Sequence, residues 1–367
     1  MRIPLFRPVI REEAIDAAAA VLRSGWLGLG PRTEAFEREF ASYVGAPHCV
    51  GLDSGTSAVH LALRTLDLQP EADVITTALT FVSTNFAIKY VGGRPVFADI
   101  EPETGNIALG AVRELLSEST GAIVLVHYGG YPCDVDGFYE LSRDAGVPIV
   151  EDCAHACGAV YRGRRIGGHG NLHAFSFNAV KNLPMGNGGA VTVRRPEDDM
   201  RLRRLRALGV DADVHRRMTG EGYHWDYGVT EIGFRNHMND VQAAIGLAQL
   251  RYLDEDNARR AEIAGLYRER LSDVPGISLL RYEEDRESSY HLFCVLAENR
   301  DALVAKLRKS GIDVGVHYRR NDDFPIFERA ELPNVDHFWR RVISLPMHVS
   351  LSDDEVGYVT DVIRSGW

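Results

Sequence analysis

The sequence predicts an α/β protein: a large domain on a mainly parallel sheet covered by helices on both faces, then a smaller C-terminal α+β domain. Three observations predict it. Short apolar runs alternate with helix-like segments through the first half of the chain, the order in which strands and crossover helices build a parallel sheet. One run, Pro148-Ile149-Val150, ends on Glu151 and Asp152, and open α/β sheets bind ligands at the carboxyl ends of their strands. An Ala-, Leu-, Glu- and Arg-rich stretch then leads into a second, shorter set of strand and helix patterns.

The elements follow in order. Ser57 to Leu66 has the apolar spacing of a helix, Asp73 to Thr77 the β-branched content of a strand, and Phe81 to Val91 is again helical. Arg94 to Ala98, Ala122 to Val126 and Pro148 to Val150 continue as strands, with a helix from about Val135 to Asp144 before the last. Ala174-Phe175-Ser176-Phe177 alternates as a strand does. Asn239 to Leu271 has the composition of one long helix joining the domains. Ile277 to Leu280 and Tyr290 to Val295 then read as strands, and Ala302 to Lys309 as a helix. The division is placed at residues 1–250 and 251–367, although no Pro/Gly/Ser-rich linker marks it.

Composition bounds the function without choosing it. The chain has 367 residues, 45% hydrophobic and 25% charged, as an ordinary globular protein does. A net charge of −11 argues against general nucleic-acid binding, though not against a local basic cleft for a nucleotide-linked molecule. The N-terminus lacks the apolar core of a signal peptide, and no later run is long enough to span a bilayer. A cytoplasmic protein without membrane partners is expected. Cys49, Cys133, Cys153, Cys157 and Cys294 are scattered and odd in number, which suits reduced thiols. Cys153-x-His155-x-Cys157, near His169 and His173, does not match the established zinc spacings, so no metal is expected and the cysteines read as packing residues.

The chemistry concentrates around Lys181. The Phe177 strand runs through Asn178-Ala179-Val180 to this lysine and on into Met185-Gly186-Asn187-Gly188-Gly189, a glycine cluster suited to a tight turn. A lysine amine enters Schiff-base chemistry only where burial or a neighbouring charge lowers its pKa. Pyridoxal phosphate supplies an aldehyde for such an amine, and its ring needs a carboxylate to keep the pyridine nitrogen protonated. Asp152 is the candidate for that partner. Gly55-Thr56-Ser57 offers a helix start for the phosphate, although a plain N-cap explains Ser and Thr there equally well. Phe81 reads from its spacing as a core residue, and Ser176 as a strand serine bonded to backbone. A helical turn after Asp152 would put His155 on its face, where a satisfied core histidine is the alternative.

Taken in order, these segments resemble the DegT/DnrJ/EryC1/StrS aminotransferases, the sugar aminotransferases of fold type I. The likeness runs from Ser24-Gly25-Trp26-Leu27 through Gly30-Pro31, Ser54 to Ala58, Thr80 to Thr84, Glu151-Asp152 with His155 and Phe175-Ser176-Phe177 with Lys181. It continues in Gln242 to Gly246, Gln249-Leu250, His317-Tyr318 and Leu345-Pro346. The resemblance implies a seven-stranded-type central sheet and pyridoxal 5'-phosphate as cofactor. It assigns the phosphate to Gly55, Thr56, Ser57 and Ser176, the ring face to Phe81, the ring nitrogen to Asp152, the phenolic oxygen to His155, and the Schiff base and proton shuttle to Lys181. It further implies a ketosugar substrate, nucleotide-linked and of the 4-keto or 3-keto deoxysugar kind, glutamate as amino donor, and a homodimer with shared active sites.

Two segments depart from the family pattern. Relatives read Gly-aromatic-Asn-aromatic-Arg-Met where this chain has Gly233-Phe234-Arg235-Asn236-His237-Met238, so Arg235 takes the place of the Asn that reaches the neighbouring subunit's phosphate. Its guanidinium can pair with a phosphate too. His317-Tyr318-Arg319-Arg320-Asn321-Asp322 replaces a Pro- and His-containing run, which puts His317, Tyr318 and Arg319 where substrate contacts are expected. Solvated ion pairs with Asp322 and Asp323 are the other reading of the two arginines. A sugar dehydratase of the same family would carry histidine in place of Lys181, and a non-catalytic regulator would not need Asp152, Ser176 and Lys181 together. An aminotransferase for a free ketosugar or a cyclitol remains as a further alternative.

Overall fold

The computed structural model describes residues 2–211 and 227–367. Seven strands form the central sheet: β1 (His48–Leu52), β2 (Asp73–Thr77), β3 (Arg94–Ala98), β4 (Thr120–Val126), β5 (Ile149–Asp152), β8 (Leu172–Ser176) and β9 (Gly189–Val193). Two-residue strands β6 (Val160–Tyr161) and β7 (Arg164–Arg165) lie between β5 and β8 and join β11 (Arg286–Glu287) in a small separate sheet. The order in the central sheet is β1-β9-β8-β5-β4-β2-β3. Every pairing is parallel except those on either side of β9, so one antiparallel strand sits between β1 and β8.

Period-two alternation covers the sheet on both faces. Within β4, Val124 joins the core formed with the Gly55–Arg64 and Val82–Tyr90 helices, while Ile123 and Leu125 join the opposite core with Val112, Phe138 and Leu141. Phe36 and Phe40, from the Pro31–Val44 helix, pack with Phe175 and Phe177 beneath β8. The third sheet, β10 (Ile277–Leu279), β12 (Phe293–Ala297) and β13 (Val342–Leu345), carries its own core against the Leu253–Leu271 and Asp353–Arg364 helices. Ile3 belongs to that second core and bridges to Ile312, so the chain's first residues run along the C-terminal part.

Three expectations need correcting. The single helix over Asn239 to Leu271 is two, Asp240–Leu250 and Leu253–Leu271, broken at Arg251 and Tyr252. Asn239 and Gln242 form a capping box at the first, and Asp254, Glu255 and Asp256 place negative charge in the first turn of the second. The strand expected from Tyr290 begins at Phe293, because Tyr290 adopts a left-handed φ of 47° that an extended strand cannot contain. Arg320 does pair with Asp322, but as a buried ion pair at 2.6 Å rather than a solvated one. Among the described residues no helix is long and apolar enough to cross a membrane.

Candidate active site

The carboxyl ends of β1, β5 and β8 converge on one cavity of about 340 Å³. Its sheet side comes from Ser54, Gly55 and Thr56 after β1, Asp152 at the end of β5, and Ser176 with Asn178 and Lys181 after β8. Phe6, His291, His317 and Tyr318 close the other side.

The first of these groups is a helix start. Ser54 is the N-cap of the Gly55–Arg64 helix, its hydroxyl accepting from the Ser57 N–H at 3.2 Å. The helix starts two residues earlier than the sequence pattern places it, so Ser57 is engaged in the cap and does not line the cavity, whereas Gly55 and Thr56 do. First-turn N–H groups have no intrahelical acceptor and suit an anion. A Cβ on Gly55 would lie 2.6 Å from the Ser176 Cβ, so only glycine lets the helix start and the strand-end serine sit side by side. That juxtaposition puts the helix-start N–H groups and the Ser176 hydroxyl on one side of the cavity. Gly55→Ala is expected to weaken cofactor affinity about tenfold by forcing the two apart, as read by absorbance titration.

Asp152 is buried and held from two directions. Thr84 donates its hydroxyl to Oδ2 at 2.7 Å and the Ala154 N–H donates to Oδ1 at 3.0 Å. Burial pushes the carboxyl pKa up against the opposing pull of those donors and of Lys181. Thr84 lies four residues after Thr80, which precedes the helix, and the two hydroxyls are 3.1 Å apart, a spacing visible in the sequence but shared by many threonines. Thr84→Val should strip a donor from the carboxylate, raise its pKa further, and so move the acid limb of a kcat profile to higher pH. The accompanying fall in kcat at neutral pH is expected to be about tenfold, the worth of one charged hydrogen bond.

Lys181 sits on the β8–β9 loop, which the chain clamps with Phe177 N–H to Gly188 O at 2.9 Å and Ala179 N–H to Gly186 O at 3.1 Å. Gly186 turns there with φ of 80°, as the glycine cluster predicts. Burial lowers the lysine pKa to about 8, with Asp152 opposing it. Its amine lies 3.4 Å from Nε2 of His291.

The structure brings Gly55, Thr56, Phe81, Asp152, His155, Ser176, Lys181, His317 and Tyr318 to this one cavity. Phe81 is 58% exposed at the N-cap of its helix instead of packing into a core, which leaves its ring for a ligand. His155 follows Asp152 on a turn, not a helix, and its Nε2 is 2.9 Å from the Tyr318 hydroxyl. Nδ1 of His317 is 2.7 Å from the Ser344 hydroxyl, and burial brings that histidine down to about 4. Arg319 does not line the cavity; it is mostly exposed, lies over Phe324 and is 3.7 Å from Asp323. Arg235 is exposed beside the end of β1, where Asp53 N–H donates to Asn236 O at 2.9 Å and Leu52 bridges His237. Thr84, Asn178, Asn187 and His291 line the cavity without having been singled out from the sequence. Cys153 and Cys157 are buried in the core with Phe175.

The donor set fits pyridoxal phosphate: a helix start beside a serine, a buried carboxylate, an exposed aromatic ring, and a lysine with depressed basicity. The model of the DegT/DnrJ/EryC1/StrS aminotransferase family matches residues 8–364. The chain is similar to the dTDP-4-dehydro-2,3,6-trideoxy-D-glucose 4-aminotransferase of Saccharopolyspora spinosa, 38% identical over 98% of this chain and 95% of that protein. Among solved structures it is similar to the sugar aminotransferase CalS13 of Micromonospora echinospora, with a TM-score of 0.93, 35% identity and full coverage of both chains. It also resembles Spr1654 of Streptococcus pneumoniae, a putative sugar aminotransferase solved in PLP and PMP forms. The PMP form superposes with a TM-score of 0.93 at 31% identity, over 99% of this chain and 98% of that one.

Proposed function

The chain belongs to the DegT/DnrJ/EryC1/StrS aminotransferase family, and from that premise we propose that it moves an amino group from glutamate onto a nucleotide-linked ketosugar, a 4-keto or 3-keto deoxysugar. It is a pyridoxal-phosphate-dependent aminotransferase of fold type I. The observation that carries the reading is the two-sided cavity: cofactor anchors line the sheet side, and uncharged hydrogen-bonding groups suited to a sugar line the other. The acceptor of the Saccharopolyspora spinosa relative, named as a dTDP-linked 4-dehydro sugar, supports the same class.

The residues divide the work. Gly55 and Thr56 at the helix start, with the Ser176 hydroxyl, hold the cofactor phosphate. Phe81 would lie against the ring, Asp152 would face the ring nitrogen, and His155 would lie near the phenolic oxygen, all three lining the cavity. Bound pyridoxal phosphate supplies the aldehyde that carries the amino group and a ring that takes up the electron pair released at the substrate carbon. Thr84 and the Ala154 N–H favour the ionised form of Asp152 against its burial, which would help the ring nitrogen keep its proton. Lys181, when not covalently engaged, takes a proton from one carbon and returns it to the other, and a pKa of about 8 suits it to both tasks near neutral pH. The buried His155, His291 and His317 contribute hydrogen bonds without adding charge.

In the proposed homodimer, Arg235 of one copy reaches the phosphate of the other. Its exposure, and the anchoring of its segment to the end of β1, support that placement. Arg319 is the residue of the second domain whose exposed charge would meet a nucleotide phosphate. The test is spectroscopic. With pyridoxal phosphate the protein should be yellow, bleach on adding glutamate with release of 2-oxoglutarate, and recover its colour with one member of a panel of nucleotide-linked ketosugars. Colour that glutamate leaves untouched would remove glutamate as donor, and recovery only with free ketosugars or cyclitols would remove the nucleotide.

A further inference from the structure

His291 is among the cavity residues to which the family resemblance assigned no role, and it is the hydrogen-bond partner of the Lys181 amine among the described residues. Its place is tightly determined. The Leu292 N–H donates to Gly129 O at 3.1 Å and the Ser289 N–H to Gly130 O at 3.1 Å. Asn182, the neighbour of Lys181, donates to Ser289 O at 2.7 Å, and the Ser289 hydroxyl donates to His155 O at 2.6 Å. The loops bearing Lys181, His155 and His291 are thus tied into one unit. The imidazole lies parallel to Phe6, with ring centroids 5.6 Å apart and planes 8° off, and 4.5 Å from the ring of His155.

The two ring nitrogens differ. Nε2 faces the lysine, while Nδ1 is buried without a hydrogen-bond partner among the described residues. A buried N–H without an acceptor is rarer than a buried acceptor without a donor, so the ring proton is placed on Nε2 and Nδ1 is left bare. The groups facing the ring are Lys181, His155, His317 and Arg260; with burial they disfavour imidazolium. A neutral ring with its proton on Nε2 matches a neutral amine, which offers one lone pair. An ammonium offers none. Protonating Lys181 would force the ring proton to the partnerless Nδ1.

We propose that His291 is the positioning residue of Lys181: its Nε2–H donates to the amine lone pair, favouring the neutral form of the unreacted lysine and pointing it into the cavity. At 3.4 Å the bond is long and is readily given up when the amine attacks. The proposal rests on Lys181 as the Schiff-base lysine but not on the identity of either substrate, and its test needs no turnover.

The experiment follows acetylation of Lys181 by acetic anhydride in the cofactor-free full chain, as a function of pH, by peptide mass spectrometry. His291→Phe keeps the ring stack and removes the nitrogen; it should raise the apparent pKa of Lys181 by about one unit, and slow cofactor capture at pH 7 about tenfold. A merely structural wall predicts the opposite, since a more apolar neighbour depresses a lysine further. His291→Gln should also shift the pKa upward, because an amide accepts from an ammonium as readily as it donates to an amine, and it decides the matter if the phenylalanine variant does not fold. An apparent pKa that stays or falls in either folded variant overturns the proposal. Borohydride reduction of the parental holoenzyme, mapped by mass, tests Lys181 itself: a pyridoxyl group on another residue would refute that assignment independently.

Discussion

Lys181→Ala is expected to lower turnover by at least about ten-thousandfold, while the protein still folds and still binds pyridoxal phosphate without a covalent bond. The variant loses two functions at once: the amine that joins the cofactor, and the base that moves the proton. The surrounding cage does not depend on the side chain, because the loop is held by backbone bonds between Phe177 and Gly188 and between Ala179 and Gly186. Borohydride treatment followed by mass measurement should find no fixed cofactor. Turnover at the parental rate would end the assignment. The pH dependence has a definite sign: with a lysine brought down to about 8, cofactor capture by the cofactor-free protein should accelerate as pH rises toward 8 and level off above it.

Asp152→Asn should reduce kcat about a thousandfold with little change in KM, because an amide of the same shape cannot keep the ring nitrogen protonated. Stability should move the other way. The folded state raises the carboxyl pKa through burial, so Asp152 favours folding in its protonated form, and that contribution is lost as pH rises from the ordinary carboxylate value through the raised one. At neutral pH the buried charge is a cost. The asparagine variant should therefore melt no lower than the parent, and a large loss of melting temperature would show that the carboxylate is structural instead.

Much of the fold was legible in the residues. Asp73 to Thr77 and Arg94 to Ala98 appear as strands at those bounds because β-branched or apolar runs are flanked by turns and polar residues. The break at Arg251 and Tyr252 was hidden, since no Gly or Pro stands at it and the two glycines of the stretch, Gly246 and Gly265, lie inside the helices; the acidic run Asp254 to Asp256 was the available signal. The site divides in the same way. Asp152 and Lys181 could be paired from a strand end and a lysine ahead of a glycine cluster, because both depend on the chemistry of short segments. Phe81 looked like core because an apolar helix residue usually is, and it is tertiary packing that leaves it exposed at the cavity. His291 and Thr84 carried no usable signal, since a lone histidine before a strand and a helix threonine acquire meaning only once β5, β8 and β12 converge.

The antiparallel β9 has a consequence for how the molecule breathes. In a purely parallel sheet the segment after β8 would run off into a helix, and its tip could swing with that helix. Here both ends of the Lys181 segment are pinned to adjacent strands, with Ser176 opposite Gly189 in the register. Its amide protons should accordingly exchange with solvent only in openings that disturb the sheet. The proposed Schiff-base lysine is thus anchored through the sheet itself, so changes in the wall formed by His317 and Tyr318 need not loosen it.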